Sequence, residues 1–226
     1  MSISIQYAYF FGSMVLLLPW LGLYLLGKRV RREMLIMSLI IGVLSVLTAY
    51  FWWTLDWWHP QTITGTRVGI EDFLMGFASG GIMAVLYEIV LKINYKKVRK
   101  NRHQLSGPAL LSVLAVISWS LWLGGLPSFW VSVFALATTA SLLYWYRKDL
   151  LFNGLVSGVL MVLVSSFFYV PIIVFSPEWV QTTYDFKYLS GILPLGIPIE
   201  EMIFWFFAGV FFGPFYEYWK QQKAAN

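Results

Sequence analysis

The sequence predicts an all-α integral membrane protein, and three observations carry that prediction. Apolar residues make up 59% of the 226 and charged residues only 12%, with a mean hydropathy of +0.69, far from the composition of a water-soluble domain. Seven apolar stretches approach the ~20 residues that a helix needs to cross a hydrocarbon core. Basic residues gather in alternate loops: the segments after Leu26, Val90 and Tyr146 and the C-terminal tail hold all of them except Arg67 and Lys187. The positive-inside rule then puts the N-terminus outside and the C-terminus in the cytoplasm, which requires an odd number of crossings.

Taken in order, the first stretch, 5–26, follows Met1 to Ser4, which lack a basic n-region, and precedes Lys28 to Arg32. It reads as a retained helix and not as a cleaved signal peptide. The second, 34–54, runs into Trp52, Trp53, Trp57 and Trp58, expected as anchors at the outer interface, with Tyr144, Trp145, Tyr146 and Trp219 at the inner one. The third, 69–91, opens on acids. The fourth and fifth, 109–126 and 128–146, have the weakest boundary, since only Gly124-Gly125-Leu126-Pro127-Ser128 separates them. The sixth is 150–175, and the seventh, 197–219, opens on Pro198, a residue suited to a first helical turn.

An acidic signature recurs 129 positions apart: Ile70-Glu71-Asp72 with Phe77, Gly80 and Tyr87-Glu88, then Ile199-Glu200-Glu201 with Phe206, Gly209 and Tyr216-Glu217. It divides the chain as three spans, one connecting span and three spans: 1–103, 104–127 and 128–226. Units separated by an even number of crossings share an orientation, so parallel repeats are expected. At 100° per residue, Gly76, Gly80 and Ala84 lie opposite Glu71, and Gly209 and Gly213 opposite Glu200. These small faces are expected to pack closely, either on each other or on a third helix, with Glu71 and Glu200 turned toward a cavity and Asp72 and Glu201 a quarter turn away.

Carboxylates are costly inside a bilayer, so four at matched positions mark a candidate site. The plain alternative is that acids in a first turn complement the helix dipole and that Arg67 pairs with Glu71 four residues on. Glu88 and Glu217 are expected to form interfacial ion pairs with Lys92 and Lys220. Two neighbouring carboxyls held from water can divide the labour, one giving a proton and the other accepting it. Proton addition to an isolated double bond, with the cation shielded from water, is one reaction that benefits. Phe204, Trp205, Phe206 and Phe207 lie close enough to stabilise such a cation.

Other chemistries are excluded by composition. His59 and His103 are the only histidines, both in loops, which removes histidine-box oxygenases and zinc hydrolases, and no metal is expected. No dinucleotide or phosphate-binding loop is present, so no cofactor is expected. There is no cysteine for thiol chemistry. A retinal protein needs a lysine in mid-membrane, and none lies there. The net charge of +5 sits at span ends as a topology and headgroup signal, so nucleic acid is not an expected partner.

Pro198-Ile199-Glu200-Glu201-Met202-Ile203-Phe204-Trp205 resembles the Pro-x-Glu-Glu/Asp motif of the heterodimeric and fused membrane-type lycopene cyclase family. Trp58-His59-Pro60 through Gly65-Thr66-Arg67 to Ile70-Glu71-Asp72-Phe73-Leu74 is similar to the lead-in of that family's other half. Gly69 departs from the motif, standing where the family has Pro. The resemblance implies an isomerase of carotenoid biosynthesis in the cell membrane: one end of linear lycopene is protonated, closes through the cation and loses a proton to give an ionone ring. It implies Glu200, Glu201, Glu71 and Asp72 as acid–base groups, and Phe204, Trp205, Pro198 and Arg67, close to them in the chain, are the candidate substrate-binding residues. Two alternatives stand beside it: a non-catalytic carrier of a polyene or isoprenoid lipid, and a hydratase that captures the same cation with water.

Overall fold

The structure, a computed structural model, describes residues 3–98 and 104–225. Arg99, Lys100, Arg102 and His103, counted above with the loops, lie outside the described residues. The helices are α1 (Ile5–Leu26), α2 (Arg31–Thr48), α3 (Thr54–Asp56), α4 (Ile70–Val90), α5 (Gly107–Leu123), α6 (Ser128–Tyr146), α7 (Leu151–Phe175), α8 (Trp179–Thr183), α9 (Ile199–Phe212) and α10 (Phe215–Lys220). A π turn, Ala49–Trp53, joins α2 to α3, and a 3-10 turn, Lys148–Leu150, leads into α7.

Among the described residues, six helical segments are long and apolar enough to cross a membrane: Ile5–Leu26, Arg31–Asp56, Ile70–Val90, Ser128–Tyr146, Lys148–Phe175 and Ile199–Lys220. The expected fourth span, 109–126, corresponds to α5, with 17 residues. That is about 26 Å of helix, at the lower end of the lengths that cross a hydrocarbon core. It is short because Pro108 fixes its first turn and Gly124-Gly125 ends it, Gly125 taking a left-handed φ of 85°. It nevertheless joins the two ends of the bundle. Its start packs at Gly107 against Trp219, while Ser128, just past its end, donates its backbone N–H to Asp56 at 3.0 Å.

The two ends differ in chemistry. At one, β1 (Tyr95–Lys97) pairs antiparallel with β2 (Gln222–Ala224), a short ribbon absent from the all-α expectation. Around it lie the basic segments: Arg29 donates to Glu88 at 3.0 Å and to the Ile93 carbonyl at 2.6 Å, and Arg147 donates to the Gln222 carbonyl at 2.6 Å. At the other end the lead-in loops of α4 and α9 are tied together, the Asp185 N–H donating to the Trp57 carbonyl at 2.9 Å.

The glycine faces pack on third helices and not on each other. A Cβ placed at Gly80 would stand 2.4 Å from Ile41 Cβ, and one at Gly76 would stand 2.4 Å from Ser45 Cβ, both on α2. At Gly209 it would stand 2.7 Å from the Ser157 carbonyl oxygen and 2.8 Å from Gly158 Cα, on α7. Lipid tails compete with any apolar side chain, so close backbone approach through small residues is what fastens these pairs.

Candidate functional site

Both acidic pairs occupy the first turn of their helix, α4 or α9, at the end opposite the basic ribbon. All four carboxyls are buried, with exposures of 0% for Glu71, 1% for Asp72, 6% for Glu200 and 4% for Glu201. Each needs a partner to compensate lost hydration, and the partners divide the four into two kinds.

Glu71 and Glu200 face their own lead-in loops. Glu71 Oε1 accepts from the Ile63 N–H at 2.6 Å, and Glu200 Oε1 accepts from the Ser190 N–H at 2.6 Å. The expectation that these two turn toward the cavity is thereby corrected. The helices begin only one residue earlier, so the second position lies beside the incoming chain, whose free N–H groups capture it.

Asp72 and Glu201 face inward. Asp72 accepts from the Tyr9 hydroxyl at 3.0 Å and, through its other oxygen, from the Gly69 N–H at 2.8 Å, a capping bond typical of a helix start. Glu201 Oε2 accepts from the Tyr169 hydroxyl at 2.5 Å. That hydroxyl in turn accepts from Tyr184 at 3.3 Å and from the Trp205 indole N–H at 3.5 Å. Tyr184, on the loop between α8 and α9, is held well above the usual phenol range, first by burial and then by the charge of Glu201. It therefore stays a neutral donor.

Glu201 opens on a crevice of about 20 Å³ shared with Met75, Trp57, Trp58 and Tyr169, room for no more than about one water. The indole N–H groups of Trp57 and Trp58 are buried with no partner among the described residues. Trp53, Met75, Phe204 and Trp205 line both this crevice and an adjoining apolar cleft of about 230 Å³. The cleft runs between α2, α4, α5, α6 and α9, with Ser118 and Trp119 of α5 and Leu136 of α6 on its far side. Asp72 reaches the crevice only through its neighbours: Tyr9 lies 3.8 Å from Met75 Sδ and meets Trp58 edge-on at 5.0 Å.

Of the other candidates, Phe204 and Trp205 line the cleft. Pro198 caps α9 behind it. Arg67 is exposed, donating to the Tyr50 carbonyl at 2.8 Å and lying over the Tyr50 ring at 4.9 Å, so the anticipated pair with Glu71 is not formed. Glu88 pairs with Arg29 in place of Lys92, and Glu217 accepts from Asn153 at 3.4 Å in place of pairing with Lys220. The tryptophans read as outer anchors are mostly interior: Trp52, Trp57 and Trp58 are buried, turned inward by the π turn and the loop beyond it. Sequence reasoning missed Tyr9, Tyr169, Tyr184 and Met75. A tyrosine inside an apolar run was the available signal, because a buried hydroxyl must find an acceptor.

The lycopene cyclase family matches this chain over residues 5–90 and 127–219, well over half its length and including both acidic pairs. The chain belongs to the lycopene cyclase family. No curated protein and no solved structure matches it. The family regions stop before α5 and resume after it, so one wall of the cleft is built from residues outside the family pattern.

Proposed function

We propose that this protein closes the end of an acyclic carotenoid by carboxyl acid–base chemistry without a redox cofactor, with Glu201 as the proton donor. The observation that carries this reading is a buried carboxyl, held by the Tyr184–Tyr169 hydroxyl chain, in a water-poor aromatic crevice continuous with an apolar cleft. The Glu201 proton adds to the terminal double bond of the substrate, leaving a tertiary cation. The neighbouring double bond attacks that cation to form the ring, and loss of a ring proton to the Glu201 carboxylate restores the acid. Atoms and charge balance, and the product is an isomer of the substrate. The ring faces of Trp57, Phe204 and Trp205 stabilise the cation, and the scarcity of water disfavours its capture as an alcohol.

Asp72 and Tyr9 form the matching pair behind Met75 and Trp58, and we assign them a positioning role. Glu71 and Glu200 fasten the lead-in loops that carry Trp58 and Tyr184. A cleft of about 230 Å³ lies below the roughly 300–1,000 Å³ of pockets that engulf a whole ligand. It takes one end of a long polyene while the remainder stays in lipid. We further propose the arrangement 1–103, 104–127 and 128–226 as two parallel repeats and a connector, in the cell membrane with the N-terminus outside.

Expression in cells that accumulate lycopene tests the reading. The expected outcome is a cyclic carotenoid from the wild-type chain, lost on Glu201→Gln and retained on Glu71→Gln. Unaltered pigment copurifying with both proteins indicates a carrier instead, and an end-hydroxylated product indicates a hydratase.

A further inference from the structure

Glu33, Glu88 and Glu217 play no part in the chemistry above. They stand at the opposite end of the bundle, in the first turn of α2, near the end of α4 and in α10. All three are buried, and one carboxylate oxygen from each lies within 4.8 Å of the other two. Like charges so close and so far from water are unfavourable unless something neutralises them. Arg29 accounts for one of the three: its guanidinium, 53% exposed, meets Glu88 at 3.0 Å. Lys220, three residues on from Glu217, turns its ammonium over the Trp219 ring at 3.5 Å.

A second observation points to a ligand. Glu33 Oε1 and Glu217 Oε2 are buried and have no hydrogen-bond partner among the described residues. Asn153 fixes the Glu217 side chain by donating to its other oxygen at 3.4 Å, and donates to the Tyr95 hydroxyl at 2.8 Å. The donor set is all carboxylate oxygen, which selects hard divalent cations over zinc or copper. Magnesium sheds its waters reluctantly and is seldom held by carboxylates alone, so a buried all-carboxylate site favours the larger, more flexibly coordinated calcium. The three oxygens, all within 4.8 Å of one another, are close enough to share one such ion.

We propose that Glu33, Glu88 and Glu217 bind a hard divalent cation of calcium-like size. Glu33 and Glu88 come from the first family-matched region and Glu217 from the second, so the ion clamps the two regions together at their basic end. The absence of histidine from the spans does not bear on such a site, since calcium takes oxygen ligands.

The test uses the purified full-length chain in detergent micelles, stripped with a chelator, desalted, and equilibrated with Ca²⁺ or Mg²⁺. Elemental analysis is expected to find roughly one calcium per chain, with a Tm that rises with Ca²⁺ concentration and less with Mg²⁺. Glu33→Gln and Glu217→Gln are each expected to abolish both effects. A wild-type chain that retains no calcium and shows no Tm shift overturns the proposal. So does an undiminished shift in the doubly substituted chain, which places the ion elsewhere. If the variants do not fold, Tb³⁺ emission from the wild-type chain and from Tyr95→Phe decides: emission displaced by Ca²⁺ and weakened by that substitution supports the site, and emission that is absent or unchanged by it rejects the site. None of these readouts depends on carotenoid turnover, so the proposal stands or falls apart from the catalytic one.

Discussion

Asp72 and Glu201 hold matching positions yet meet different neighbours, because Gly69 carries an N–H and Pro198 does not. Gly69 adopts φ −127°, which proline cannot reach, and its N–H occupies one Asp72 oxygen. Glu201 has no such bond and is free to engage Tyr169. Glu201→Gln is therefore expected to cost on the order of 10²–10⁴-fold in cyclic product, the usual worth of a general acid, and Asp72→Asn distinctly less, each normalised to protein level. Tyr169→Phe removes the donor that orients the Glu201 carboxyl, and a loss of up to about tenfold is expected for one hydrogen bond. Arg67→Ala is expected to leave turnover unchanged, since Arg67 is spent on Tyr50 at the surface. Gly69→Pro is expected to lower Tm, as it deletes a cap worth about 1 kcal/mol and drives a ring toward Thr62 and Glu71 Oε2.

Among the elements, the closest approaches are α4 on α2 and α9 on α7. An added methyl at Gly209 meets backbone on α7, which cannot yield, whereas at Gly80 it meets mainly the Ile41 side chain. Gly209→Ala is thus expected to destabilise by about 1–3 kcal/mol, the cost of overpacking, and Gly80→Ala by less. Gly22, with no atom within 4 Å of a new Cβ, is the control: alanine there is expected to be neutral or to stabilise by up to about 1 kcal/mol through helix propensity. Thermal unfolding in detergent reads all three. The partner helices also carry a pattern the sequence reading overlooked. Arg31-Arg32-Glu33 precedes Gly42 by the same interval that separates Arg147-Lys148-Asp149 from Gly158. It escaped notice because its apolar positions differ and only the charged head and the packing glycine persist.

For the whole molecule, the proposed function rests on a cleft that no single helix contains. Its α5 wall lies outside the family-matched regions, with Val116 and Leu123 facing outward at 65% and 79% exposure. Ala115→Phe is expected to fill part of the cleft and raise KM for the polyene more than it lowers kcat, with Tm unchanged. A matching fall in kcat at constant KM tells against the cleft as the substrate's berth.

The membrane class, the helical segments near 20 residues and the place of the acidic pairs were legible in the chain, because hydropathy, charge placement and motif spacing are properties of neighbouring residues. The ends of α5, which starts and stops a few residues before the apolar stretch 109–126, were not, since hydropathy alone does not mark where glycines end a helix. Nor could the sequence show that Asp72 and Glu201, and not Glu71 and Glu200, face inward, that Tyr9 and Tyr169 supply their hydrogen bonds, or that Trp57 and Trp58 leave the lipid boundary for the crevice. Those contacts join residues far apart in the chain, and only the packing of α1, α4, α7 and α9 fixes which side of each helix is interior. Local chemistry determined which groups this protein owns; tertiary packing decided which of them meet.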